Sequence, residues 1–164
     1  GRRLDVGVLE RERRARTLLI VDDEPEVRSA LARTLHGEGW RVLGAGDACE
    51  ALDTLATHGA QVVLCDQHMP GMTGSEFLGR IRQVFPETVS IIYSGKNNKE
   101  AMNAAVSGGI AYKALHKPWD DDELLETVRA AFNAYEHEVE SCREMPICGG
   151  KLACFDRECG RRVQ

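Results

Sequence analysis

Four runs of apolar residues recur along the chain, each ending in a polar group: Leu18-Leu19-Ile20-Val21, Val62-Val63-Leu64-Cys65, Val89-Ser90-Ile91-Ile92-Tyr93 and Ala114-Leu115-His116. Runs that are apolar on both faces read as strands of a parallel sheet covered by helices on either side. A shorter strand is expected near Arg41–Ala45. Between the runs the apolar period changes to that of an α-helix. Pro25 suits a first helical turn, and Val27, Ala30, Leu31, Thr34 and Leu35 then share a face up to Gly37. Asp47 and Glu50 have capping-box spacing for a helix through about His58, stopped by Gly59 and burying Ala51, Leu52 and Leu55. Thr73 and Glu76 repeat that spacing before Phe77, Leu78, Ile81, Val84 and Phe85, and Pro86 prevents continuation. A fourth helix, about Asn98 to Ser107, offers mostly small apolar groups and should be the most weakly anchored. The fifth starts at the acidic run Asp120-Asp121-Asp122-Glu123, suited to a helix N-terminus and a solvated face, with Leu124, Leu125, Val128, Ala131, Phe132 and Tyr135 at helical spacing. Alternating strands and helices predict a doubly wound α/β sheet, which places ligands beyond the carboxyl ends of its strands.

The 164 residues and 43% hydrophobic content suffice for one packed domain with tails. The net charge of −5 argues against a broad nucleic-acid footprint, so no direct nucleic-acid partner is expected. No apolar run approaches the ~20 residues of a membrane span, and the Arg-rich start lacks the apolar centre of a signal peptide. The expectation is a cytoplasmic chain with no membrane partner. Gly1 in place of an initiator Met points to a processed or excised piece, so an effector domain is expected outside it. Residues 1–16, with Arg2, Arg3, Arg11, Arg13, Arg14 and Arg16 among acids, read as a frayed extension or, alternatively, a docking arm.

At the predicted carboxyl edge stand Asp22 and Asp23, Asp66, Ser94 and Lys117, one set after each apolar run. A carboxylate that attacks phosphorus approaches a group already negative, so a divalent cation and a fixed positive side chain are needed. Asp22, Asp23 and Asp66 offer hard oxygen ligands suited to Mg²⁺, Lys117 an ammonium for a phosphoryl oxygen, and Ser94 a hydroxyl for another. Singly, each has a plainer reading: a cap pair, a turn serine, a solvated lysine. Together, in one order at successive strand ends, they point to phosphoryl chemistry.

The stretches Leu18-Leu19-Ile20-Val21-Asp22-Asp23-Glu24-Pro25, Val63-Leu64-Cys65-Asp66-Gln67-His68-Met69-Pro70-Gly71-Met72-Thr73-Gly74, Ile92-Tyr93-Ser94-Gly95 and Lys117-Pro118-Trp119 resemble the receiver domain of bacterial two-component response regulators, over about residues 17 to 135. The resemblance implies a flavodoxin-like (βα)5 fold with strand order 2-1-3-4-5. It implies a domain over 17–137, with an extension at 1–16 and a Cys-containing tail or linker at 138–164. Under it, Asp66 is the phosphoacceptor, Asp23 a direct Mg²⁺ ligand, Asp22 a ligand through water, and the backbone carbonyl of His68 a further ligand. Ser94 and Lys117 take the family's hydroxyl and lysine positions, and the Lys117–Pro118 bond is cis. His68 and Lys96 flank the phosphoryl group and tune its lifetime. The donor is a sensor histidine kinase or phosphotransfer protein; the output is self-association, as in a homodimer, or contact with an effector domain, through the face formed by helix four, strand five and helix five. Lys-Pro-Trp followed by an acidic run looks like the receivers ahead of HD-GYP phosphodiesterases or of transcriptional activators. One departure stands out: the family's switch aromatic, three residues before the lysine, is Ala114 here, and Tyr112 either substitutes for it or packs as an ordinary side chain.

Such a chain turns over no separate substrate. A haloacid-dehalogenase-like phosphatase would want Asp-x-Asp after the first strand, where Asp22-Asp23 stands, whereas an unphosphorylated docking module could keep the motif. Of six cysteines, Cys49 and Cys65 read as core residues. Cys142, Cys148, Cys154 and Cys159 are separated by five, five and four residues and lack the close pairs usual in zinc sites. An extension of helix five or a truncated linker are the other readings.

Overall fold

Each apolar run becomes a strand of one parallel sheet. The computed structural model describes residues 16–95 and 99–144, with side chains to residue 138. Expectations for residues 1–15, for Lys96, for Cys148, Cys154 and Cys159, and for the Cys142 side chain lie outside the described residues.

The elements follow in the order β1 (Thr17–Val21), α1 (Pro25–His36), β2 (Arg41–Ala45), α2 (Ala48–His58), β3 (Val62–Asp66), α3 (Gly74–Val84), β4 (Val89–Ser94), α4 (Lys99–Ser107), β5 (Lys113–His116) and α5 (Asp121–Glu144). The strands pair in the order β2-β1-β3-β4-β5, all parallel, which is the expected flavodoxin-like doubly wound sheet. The sheet and its helices make one unit, ending at Phe132; a second unit begins at Asn133, within the span of α5.

Alternation along β1 separates the core into two layers. Leu18 and Ile20 pack with Leu31 and Leu35 of α1 and with Leu124, Val128 and Phe132 of α5. Leu19 and Val21 pack with Ala51 and Leu55 of α2, Phe77, Leu78 and Ile81 of α3, and Met102 and Ala105 of α4. A fully buried Leu or Phe contributes about 1.5–3 kcal/mol, so α4, with only Met102 and Ala105 buried, is held less firmly than α3.

The helix starts show how local chemistry fixes each boundary. Thr73 and Glu76 form a reciprocal capping box. At α2 only half of the expected box forms: Asp47 accepts from the Glu50 N–H at 2.8 Å, but the Glu50 carboxylate accepts from Gly46 rather than from Asp47. Asp120 caps α5 by accepting from the Glu123 N–H at 2.7 Å.

Three sequence expectations are corrected. Cys49 is exposed, because the face of α2 that meets the sheet carries Ala51 and Leu55. Ala30 is exposed, one position round α1 from buried Leu31. Val84 is 61% exposed, since the inward face of α3 ends with Ile81. Cys65 is buried as expected. No helix among the described residues is long and apolar enough to cross a membrane.

Candidate functional site

Register carries the polar strand ends to one edge. Val21 pairs with Cys65, so Asp22 follows β1 beside Asp66, the last residue of β3. Asp66 pairs with Tyr93, and Ser94 with His116, which sets Lys117 one residue beyond β5. One oxygen each from Asp22, Asp23 and Asp66 lie within 4.8 Å of one another. Asp23 and Asp66, but not the buried Asp22, line a cleft of about 450 Å³ together with Glu24, His68, Met69, Pro70, Gly95 and Lys117.

The acids differ in setting. Asp22 is fully buried, Asp66 is half-buried and Asp23 is exposed. Burial and the neighbouring Asp22 carboxylate raise Asp66 to about 6 from an ordinary 3.8, against the opposing effects of the His68 backbone N–H and the Lys117 charge. Three crowded carboxylates with hard oxygens, one of them exposed, form a donor set that fits a Mg²⁺ ion keeping several waters. Ser94 is buried at the end of β4, and its carbonyl accepts from the Lys117 N–H at 3.0 Å. The Lys117 stem runs beside Gly95, where an added Cβ would make ordinary van der Waals contact with Lys117 Cδ at 3.5 Å. The Lys117–Pro118 bond is cis, as the resemblance implies.

The remaining candidate residues are placed unevenly. His68 is exposed on the cleft wall. Ala114 is half-buried on β5 and packs against the layer of α2, α3 and α4. Tyr112 precedes β5, is 40% exposed, and donates its backbone N–H to Ser90. Lys96 lies outside the described residues.

Several supporting residues carry no signal in the sequence. Arg28 of α1 donates from Nη1 to the Asp22 carbonyl at 2.5 Å, though it reads as a surface charge on an amphipathic helix. Gln67, buried, accepts from both the N–H and the hydroxyl of Ser75 at 2.9 Å and so ties the β3–α3 loop to the start of α3. Tyr93, fully buried, donates its hydroxyl to Asp22 Oδ2 at 2.5 Å. Burial, then the bond to Asp22, push that phenol well above its usual range. Its apolar run hid this role, because only strand register brings it to Asp22.

Comparison with known proteins places this edge in context. The profile of the response regulator receiver domain matches residues 18–129. The hydrogenase transcriptional regulatory protein HoxA of Cupriavidus necator is 45% identical over 118 residues, 72% of this chain and 24% of that protein. The DNA-binding transcriptional regulator NtrC of Klebsiella pneumoniae is 36% identical over 128 residues, 78% of this chain and 27% of that protein. The chain therefore spans about a quarter of the length of these curated relatives. The crystal structure of the signal receiver domain of an HD domain-containing protein from Pseudomonas fluorescens superposes with a TM-score of 0.73 at 33% identity, covering 77% of this chain and 93% of that one. Relatives of both kinds, transcriptional regulators and an HD-domain protein, agree with the Lys-Pro-Trp resemblance. With the profile spanning the sheet and all four strand-end motifs, the chain belongs to the response regulator receiver domain family.

Proposed function

We propose that this receiver domain takes a phosphoryl group onto Asp66, in a Mg²⁺-dependent reaction, from the phosphohistidine of a sensor kinase or phosphotransfer protein. The observation that carries this reading is the convergence of three carboxylate oxygens within 4.8 Å, beside a cleft that Lys117 also lines. An Asp66 oxygen bonds to phosphorus as the phosphorus–nitrogen bond to the donor imidazole breaks, and that imidazole keeps the bond's electron pair. Asp22, Asp23 and Asp66, with the His68 carbonyl, would hold the cation. When bound there, Mg²⁺ offsets negative charge on the group in transfer. Lys117 pairs with one phosphoryl oxygen and Ser94 donates its hydroxyl to another. Acetyl phosphate, a small phosphodonor, should add one phosphoryl group per chain with Mg²⁺ present and none with EDTA; equal incorporation in both would contradict the metal requirement.

Drawing Ser94 toward the phosphoryl oxygens would rearrange the segment that leads into α4, whose buried residues in the sheet's second layer are Met102 and Ala105. The face of α4, β5 and α5 then becomes the output surface, for self-association or an effector domain. Amide hydrogen exchange across residues 95–120 should change several-fold on adding beryllofluoride and Mg²⁺, with the edge strand β2 unaffected. Identical exchange with and without the mimic would contradict this route.

A further inference from the structure

We infer that Tyr93 is a positioning residue whose hydroxyl fixes the Asp22 carboxylate and thereby sets the affinity of the acid cluster for a divalent cation. The inference rests on the proposed function and deepens it.

Both oxygens of Asp22 are engaged. Oδ1 accepts from the Glu24 N–H at 2.9 Å, and Oδ2 accepts from the Tyr93 hydroxyl at 2.5 Å. The first bond comes from backbone at the start of α1; the second comes from a side chain two strands away in the sheet order, across β3. Asp22 and Tyr93 are both fully buried, so water cannot replace the phenol if it is lost. Without it Oδ2 is left unpaired in the interior and the carboxylate is held through Oδ1 alone. Loss of a partner that orients a metal-ligating group commonly costs about 10–100-fold in metal affinity.

The tyrosine is itself held in place. Its ring meets Trp119 edge-on with centroids 5.5 Å apart, and Lys117 Nζ lies 5.5 Å from the ring centroid on its face. One buried side chain thus supports the innermost acid of the cluster and lies beneath the lysine that borders the cleft. The β3–β4 register, pairing Asp66 with Tyr93, makes this geometry available only to the residue preceding Ser94.

Tyr93→Phe removes the hydroxyl while keeping the ring and its packing on Trp119, so it isolates the bond to Asp22. Titration with Mn²⁺, read by the electron paramagnetic resonance of the free ion, reports affinity without reliance on tryptophan. The dissociation constant of Tyr93→Phe should rise on the order of tenfold over wild type. In an Asp22→Ala background the same change should have less than a twofold effect, because the group being positioned is gone. An affinity within twofold of wild type for Tyr93→Phe overturns the proposal, as does a tenfold effect that persists without Asp22. Failure of the wild type to bind Mn²⁺ overturns instead the reading of the site on which the proposal rests.

Discussion

Gly74→Ala is expected to destabilise the domain by about 2–3 kcal/mol and to cut phosphoryl uptake sharply. A Cβ at this position would lie 2.3 Å from the Asp66 carbonyl oxygen, 2.9 Å from Gln67 Cα and 3.0 Å from the Asp66 carbonyl carbon. All three are backbone atoms, so no flexible side chain can swing aside. Gly74 also donates its N–H to the Gln67 carbonyl at 2.8 Å, which anchors the start of α3 on the end of β3. Relief of the clash therefore requires either α3 or the end of β3 to move, and the second displaces Asp66 itself. Greater helix propensity of alanine offsets little, since Gly74 occupies the first position of α3. Urea unfolding should show a lower midpoint at similar slope; an unchanged midpoint would mean that the approach of α3 to Asp66 is not tight in solution.

The second large effect concerns charge. Asp66→Asn should stabilise the metal-free protein above pH 7 by about 1–2 kcal/mol, a figure reduced for the solvent screening of a half-exposed carboxylate. Asp66 ionises at about 6 in the fold against an ordinary 3.8, because burial and Asp22 disfavour its charge. The folded chain thus holds the proton to higher pH than the unfolded chain. The stability this lends is present in full below about pH 4 and is lost as pH rises through about 6. Asparagine does not titrate, so the gap between variant and wild type should open across that interval and stay open above it. Mg²⁺ should narrow the gap by binding the wild type more strongly. Unfolding in EDTA at pH 5 and pH 8 checks the sign; a gap that closes with rising pH would contradict it.

Much of this site was legible in the sequence, for a physical reason. In a doubly wound sheet each run that is apolar on both faces gives way to polar residues at the strand's carboxyl end, where ligands bind. Asp22, Asp66, Ser94 and Lys117 mark those ends, and the strand order gathers them. Helix starts were legible where the side chain that caps also fixes the spacing, as at Thr73 and Glu76. What stayed hidden depends on contacts between segments remote in sequence. Tyr93 reads as one more strand residue until register sets it against Asp22, and Arg28 as a solvated helix charge until α1 folds over β1. Cys49 looked apolar enough for the core, but the phase of α2, set by Ala51 and Leu55, turns it outward. The fifth helix runs to Glu144, beyond the last apolar position that the period marks, since nothing between Tyr135 and Glu144 breaks a helix.

The central claim, that Asp66 receives the phosphoryl group, is tested most directly by locating the modified residue. The chain is incubated with acetyl phosphate and Mg²⁺ and reduced with borohydride, which converts an aspartyl phosphate to homoserine; the peptides are then sequenced by mass spectrometry. Homoserine is expected at position 66, and none in Asp66→Asn. Homoserine at another aspartate, or no modified residue in wild type, would contradict the claim.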